Sequence, residues 1–461
     1  MSAVSVSPSA IPQPLLARYQ RSGPRYTSYP TAPHFKIDPD IGLIQERWRQ
    51  SNGDARGIGF YLHLPFCPTR CLYCGCHTFV GPEESLVEAY LDALGEEIRF
   101  HLSLISAQRP VGQIALGGGT PTFLKPEQMK KLMTALRSCY PADSGAERSI
   151  EIDPRRVEND YLDALLQLGF NRFSFGVQDL DPAVQGRIER VLPEERLAGL
   201  LGHLRRAGME AINLDLIYGL PGQTLESFSR TISRVAALRP SRIALFGYAH
   251  VPWVSPHQKR LEPFAMPDAG ERMALFGMAY DLLLQAGYAH IGMDHFALPG
   301  DELLLARQSR TLTRNFMGYS TRRGLDLVGL GASSISAVNG TYTQNEKEIG
   351  PYVRRAAQGA WAKGLVMTGE DLLRRELILD LFCNYHVSMS DLEKRFPIRF
   401  PVHFAPELEA LAPMADDGLL EIGSDSLSVT PLGRFFIRNI CMCFDRYMQP
   451  GPEENRYSKT I

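Results

Sequence analysis

The sequence predicts an α/β fold: a partial (β/α)6 barrel, preceded by an N-terminal arm and followed by a mainly helical, winged-helix-like C-terminal domain. Three observations predict it. Six apolar, β-branched runs recur between residues 57 and 249, amphipathic segments separate them, and every run ends in glycine or polar residues. Strand-helix alternation calls for a parallel sheet with right-handed crossovers. Six units fall short of the eight that close a complete barrel.

Residues 1–55 contain many Pro and Gly and read as an arm with one short helix near Leu43–Gln50. Residues 56–300 form the expected barrel. Its apolar runs are Gly57–Phe66, Val111–Gly117, Arg148–Asp153, Arg172–Val177, Ala211–Tyr218 and Ile243–Ala249. Amphipathic segments such as Leu86–Leu104, Pro126–Leu136, Leu197–Ala207 and Leu225–Ala236 supply the helices. The run ends carry a cysteine loop, Gly117-Gly118-Gly119-Thr120, Glu151-Ile152-Asp153, Gln178-Asp179, Asp215 with Tyr218-Gly219, and Tyr248-Ala249-His250. In parallel barrels the active site collects at these C-terminal strand ends. Residues 301–360 read as a connecting segment that completes the active site.

From about 361 the pattern turns helical. Leu372–Cys383, Met389–Arg395 and Pro406–Asp416 read as helices, a turn at Gly423-Ser424-Asp425 joins two short strands, and a helix from Pro431 to about Tyr447 follows. The order is that of a winged helix. Residues 366–447 hold 8 Lys/Arg against 13 Asp/Glu, the reverse of a DNA-binding face. With a formal net charge of -2 over 461 residues, bulk electrostatics favour neither nucleic acid nor an anionic membrane. The N-terminus lacks a basic start and apolar core, and no apolar run reaches the roughly 18 residues of a membrane span. A soluble, cytoplasmic monomer is expected.

Cysteine placement carries the chemistry. Four of the eight, Cys67, Cys71, Cys74 and Cys76, fall within ten residues. The spacing Cys67-x3-Cys71-x2-Cys74 suits three irons of a [4Fe-4S] cluster. Such clusters normally take four cysteines, so a missing ligand implies chemistry at the open iron. A zinc site would need a second pair, and only Cys441 and Cys443 offer one. Cys76 reads either as a buried thiol or as a donor of a proton or hydrogen atom in catalysis.

This loop resembles that of the radical S-adenosylmethionine (SAM) superfamily, in which SAM occupies the open iron and is cleaved to a 5′-deoxyadenosyl radical. Gly117–Thr120 is similar to the glycine segment that bonds the SAM amino group there. More closely, the chain resembles the oxygen-independent coproporphyrinogen III oxidase family over nearly its whole length. The resemblance rests on Gly23-Pro-Arg-Tyr-Thr-Ser-Tyr-Pro30, His63-Leu-Pro-Phe-Cys67 through Cys76, and Gly117–Thr122. It extends through Gly176-Val-Gln-Asp179, Asn213–Pro221, Gly292-Met-Asp-His-Phe296, Arg314-Asn-Phe316 with Gly318-Tyr319, and Arg438–Asp445.

The resemblance implies a [4Fe-4S] cluster on Cys67, Cys71 and Cys74, and two SAM molecules. Tyr61, Tyr73, Gly118, Glu151, Ala249 and Ile335 are expected at the first SAM. Gly119, Thr120, Gln178, Arg190 and Asp215 are expected at the second. Tyr61 and Cys76 are the catalytic candidates. Arg25 and Arg314, with Tyr26 and Tyr319 beside them, are candidates for substrate propionates. The implied reaction turns two propionates of coproporphyrinogen III into vinyls, with an unidentified electron donor and acceptor. A haem chaperone or a haem-degrading radical SAM protein on the same scaffold is the alternative.

Overall fold

The structure, a computed structural model, describes residues 6–448 together with 457, 459 and 460. The chain divides into two compact units. One comprises Phe35–Arg272 and Gly324–Val366; the other comprises the chain up to His34, Met273–Arg323 and the chain from Met367 on.

The first unit is the barrel. Strands β1 (Ile58–Leu64), β2 (Val111–Gly118), β3 (Ala142–Ile152), β4 (Arg172–Gln178), β5 (Ile212–Tyr218) and β6 (Arg242–Gly247) lie side by side and parallel. Their apolar residues are buried, as in β1, where Ile58, Phe60, Leu62 and Leu64 are fully enclosed. The helices between them bury one stripe each. Helix Pro126–Cys139 buries Met129, Leu132, Met133 and Leu136, and Glu194–Arg206 buries Leu197, Leu200, Leu201 and Leu204. Helix Leu225–Ala237 starts at a capping box, in which Thr224 Oγ1 accepts from the Ser227 amide at 3.1 Å and Ser227 Oγ from the Thr224 amide at 3.0 Å.

A seventh parallel strand, β7 (Asp326–Leu330), pairs with the other side of β1 and sets Gly329 opposite Tyr61. This strand lies in the stretch expected only as a connection. It is five residues long, and a strand rather than a helix follows it, so strand-helix alternation gave it no signal. A buried ion pair anchors it: Arg109 Nη1 donates to Asp326 Oδ2 at 2.8 Å and Arg109 Nη2 to Gly57 O at 2.8 Å. Strands β8 (Ile335–Val338), β9 (Thr341–Asn345) and β10 (Trp361–Val366) extend the sheet antiparallel.

The second unit joins the first residues of the arm to the C-terminal part of the chain. Arg438 Nε donates to Pro24 O at 2.9 Å, Asn439 Nδ2 to Tyr19 O at 2.8 Å, and Tyr26 Oη to Asp445 Oδ2 at 3.0 Å. Helices Gly369–Asn384, Met389–Arg395 and Ala405–Asp416 stand with a three-stranded antiparallel sheet of His386–Ser388, Ser426–Val429 and Leu420–Ile422, the winged-helix order expected. The final helix is shorter than expected: a 3-10 turn at Gly433–Phe436 leads into Ile437–Met442. A Cβ on Gly433 would lie 1.7 Å from Leu419 O, so only glycine fits where that turn begins. Among the described residues no helix is long and apolar enough to cross a membrane.

Candidate active site at the barrel's C-terminal strand ends

β1 ends at Leu64, and Phe66–Cys67 continues as a two-residue strand parallel to Phe79–Val80, which closes the cysteine loop on itself. The glycine run at the end of β2 backs against the root of that loop. The Gly119 amide donates to Leu64 O and the Thr120 amide to Phe66 O, both at 2.9 Å. A Cβ on Gly119 would come 2.7 Å from Phe66 O and 3.0 Å from Cys67 Sγ. One on Gly118, whose φ is +119°, would come 2.8 Å from the His63 ring. Glycine is required for both approaches.

Each of the three expected ligand sulfurs meets hydrogen-bonding groups suited to a thiolate. Thr120 Oγ1 lies 3.6 Å from Cys67 Sγ. Cys71 Sγ accepts from Arg155 Nη2 at 3.5 Å and from Arg190 Nη1 at 3.4 Å. Cys74 Sγ accepts from the Cys76 amide at 3.4 Å. A hydrogen bond from the Cys76 side chain pulls the Cys74 thiol below its usual range and pushes the Cys76 thiol well above its own. Burial holds the Cys67 thiol up at about 11, so iron must displace its proton on binding. The chemistry of this donor set fits an iron-sulfur cluster.

The zinc alternative loses its second pair. Cys441 Sγ donates to Ile378 O at 3.8 Å and Cys443 Sγ to Asn439 O at 3.7 Å, and burial raises both thiols. These are protonated packing residues.

Strand ends β3, β4 and β5 complete the rim. Glu151 Oε2 accepts from the Gly118 amide at 3.2 Å. Its side chain is open to solvent yet ringed by protein, and this enclosure, with Asp215 nearby, pushes its carboxyl up to about 7. Asp215 is raised to about 6 by burial, although Asn213 Nδ2 donates to it at 2.7 Å and Ser174 Oγ at 3.2 Å. Gln178 sits at the end of β4 in the left-handed region, φ 70°, a costly conformation for a non-glycine residue. Gly176 separates it from Arg190: a Cβ there would meet Gln178 Nε2 at 2.8 Å and Arg190 Nη2 at 2.9 Å. Arg190 also reaches Asp153 at 3.3 Å, and Arg155 grips the same carboxylate at 2.6 Å.

Tyr61 points to His63. Burial lowers the His63 imidazole to about 4, so it is neutral. Its Nε2 lies 3.1 Å from the His77 carbonyl, which only accepts, so Nε2 carries the proton and Nδ1 accepts from Tyr61 Oη at 3.2 Å. Ile335 opens β8 beside Gly329, where a Cβ would lie 2.6 Å from Ile335 O. Tyr73 and Ala249 share one clamp. The fully buried Gln258 donates from Nε2 to Tyr73 O at 2.9 Å and to Ala249 O at 3.3 Å. His257 Nε2 lies 2.8 Å from Cys74 O.

Thus the structure brings the cluster cysteines and the expected SAM residues onto the strand ends of one unit. Sequence reasoning passed over His63, Asp153, Arg155 and Gln258 as site residues. His63 had a signal, being two residues from Tyr61 on a strand; Gln258 lies in an irregular loop and had none. The expected substrate residues lie in the second unit. Arg25 Nη1 pairs with Asp294 Oδ2 at 2.8 Å, Tyr26 meets Phe382 edge-on, and the Arg314 guanidinium stacks 4.7 Å from the Tyr319 ring centroid.

Comparisons with known proteins show the family. The radical SAM superfamily profile matches residues 61–235, and that of the HemN C-terminal domain matches 367–436. The chain is 42% identical to the oxygen-independent coproporphyrinogen III oxidase of Salmonella typhimurium, over 97% of this chain and 98% of that one. It is 41% identical to the enzyme of that name from Escherichia coli, with the same coverage. The solved structure of the E. coli coproporphyrinogen III oxidase HemN, described as a radical SAM enzyme, superposes with a TM-score of 0.89 at 40% identity, covering 95% of this chain and 99% of that one.

Proposed function

The chain belongs to the oxygen-independent coproporphyrinogen III oxidases of the radical SAM superfamily, and from that premise we infer that it converts coproporphyrinogen III to protoporphyrinogen IX by oxidative decarboxylation of two propionates. The observation that carries this reading is the three-cysteine loop seated on the glycine run, in a chain matched over 97% of its length by a relative bearing that name. The haem-carrier and haem-degrading alternatives have no such support.

When bound, the cluster and SAM supply the 5′-deoxyadenosyl radical that removes a β-hydrogen from a propionate. The remaining roles fall to residues of this chain. Cys67, Cys71 and Cys74 hold three irons and leave the fourth to SAM. Glu151, fixed by the Gly118 amide, accepts from the ribose hydroxyls or the ammonium of SAM. Tyr61, Tyr73, Ala249 and Ile335 pack around the same molecule. A second SAM takes Gly119, Thr120, Gln178, Arg190 and Asp215. Cys76 keeps its proton beside Cys74 and acts as a thiol in the site. Propionates that stay ionised call for cationic partners, and Arg25 and Arg314, with Tyr26 and Tyr319 beside them, are the candidates. Each decarboxylation releases carbon dioxide and one electron, which an external acceptor takes, and an external donor reduces the cluster. We place the enzyme in the cytoplasm as a monomer.

The test is anaerobic incubation of the reconstituted protein with SAM, a reductant and coproporphyrinogen III. Protoporphyrinogen IX and carbon dioxide are expected. Haem consumption without turnover of coproporphyrinogen III would overturn the reading in favour of a haem-degrading protein.

A further inference from the structure

Arg314 is nine-tenths buried, yet its Nε and Nη1 have no hydrogen-bond partner among the described residues. It lies on a hairpin whose strands Thr313–Asn315 and Gly318–Ser320 pair Arg314 directly with Tyr319. The guanidinium lies over two rings, with its Cζ 4.7 Å from the Tyr319 centroid and 5.6 Å from that of Phe382. The rings attract the cation, and they satisfy none of its N–H groups.

Tyr319 also carries an unpartnered donor. Its hydroxyl is buried and unpartnered, and burial keeps it protonated. Room for it exists because residue 292 is glycine: a Cβ there would lie 2.5 Å from Tyr319 Oη and 2.9 Å from Tyr385 Oη. Two neighbouring side chains thus offer buried donors without a partner. Such groups are normally paired in a folded protein, and a planar fork with a hydroxyl beside it matches a carboxylate. Arg25 is different, because Asp294 already neutralises it at 2.8 Å.

We propose that Arg314 and Tyr319 form a carboxylate-binding site that anchors one propionate of the substrate, with Arg314 as the principal anchor. This rests on the reading of the chain as a coproporphyrinogen III oxidase. Arg314 supplies the charge and an unpartnered N–H, and Tyr319 adds one O–H.

The test is titration of the full-length reconstituted protein with coproporphyrin III, the stable oxidised form of the substrate, and with its tetramethyl ester, followed by fluorescence. The wild type should bind the acid at least tenfold more tightly than the ester. Arg314→Gln should weaken the acid at least tenfold and leave the ester within twofold. Tyr319→Phe should weaken the acid about threefold. Arg18→Gln, an exposed arginine of the same unit, should change neither. Equal binding of acid and ester by the wild type would overturn the site, as would Arg314→Gln and Tyr319→Phe variants with wild-type affinity. Should Arg314→Gln fold poorly, Tyr319→Phe and Arg314→Lys decide, and wild-type affinity in both refutes the site. Turnover of coproporphyrinogen III by the wild type is measured in parallel: its loss refutes the oxidase reading, while the acid-ester difference still judges the carboxylate site.

Discussion

Arg155 and Cys71 are hydrogen-bonded, Nη2 to Sγ, at 3.5 Å, and Asp153 holds the arginine there by a contact of 2.6 Å. The sulfur expected to bind iron therefore faces a fixed cation. Added electron density on the cluster is spread over its sulfurs, so donors to them favour the reduced state. Arg155→Gln should lower the cluster's midpoint potential. A lost charge-assisted bond of roughly 1.5 kcal/mol corresponds to about 60 mV for one electron. A redox titration followed by electron paramagnetic resonance checks it, and an unchanged potential would remove Arg155 from this role.

Gly119→Ala should impair cluster binding. The added methyl meets Phe66 O at 2.7 Å and Cys67 Sγ at 3.0 Å, and backbone on one side cannot yield. Iron and sulfide per chain after anaerobic reconstitution should fall by more than half, with thermal unfolding of the apoprotein shifted by a few degrees at most. Wild-type iron content would contradict the packing described.

Gln258→Ala should weaken SAM binding. The variant leaves the carbonyls of Tyr73 and Ala249 and the Val251 amide without their shared partner. Orphaned buried groups cost about 1–3 kcal/mol each, and the loop relaxes to recover part of that. The SAM Kd should rise about tenfold in equilibrium dialysis, and iron content should hold.

His290 makes stability fall in mild acid. It is buried against Tyr280, Phe296 and Phe435, its Nε2 donates to Met293 O at 3.0 Å, and Arg307, Arg434 and Asp294 stand near. Burial lowers its imidazole to about 4. Between that value and about 6.5 the unfolded chain binds the extra proton, so stability is full above about 6.5 and is lost as pH falls toward 4. The ceiling on the loss is about 3 kcal/mol. Tm measured from pH 7.5 to 5 should fall more steeply for the wild type than for His290→Gln.

How much of this was written in the sequence depends on periodicity. The six barrel strands were found because each is a short apolar run ahead of an amphipathic helix. Strand ends could be read as site positions because Gly117–Thr120 and Glu151 are poor choices for a strand interior. β7 was missed because Asp326–Leu330 is held by partners far away in sequence, above all Arg109. The bonds of Arg438 to Gly23 and Pro24, and of Tyr26 to Asp445, tie two motifs more than 400 residues apart, and no local pattern announces them. Arg155 and Gln258 act through a sulfur and two backbone carbonyls, so their roles lie in three-dimensional placement alone.

The central claim is that three cysteines leave one iron open to SAM. Its most direct test is deoxyadenosine released from SAM by the anaerobic, reduced, reconstituted protein, with and without coproporphyrinogen III. The account predicts release that rises with substrate, accompanies carbon dioxide and vanishes in Cys67→Ser, Cys71→Ser and Cys74→Ser variants. Release that persists when any of those three is replaced, or a fully loaded cluster that never cleaves SAM, would contradict it.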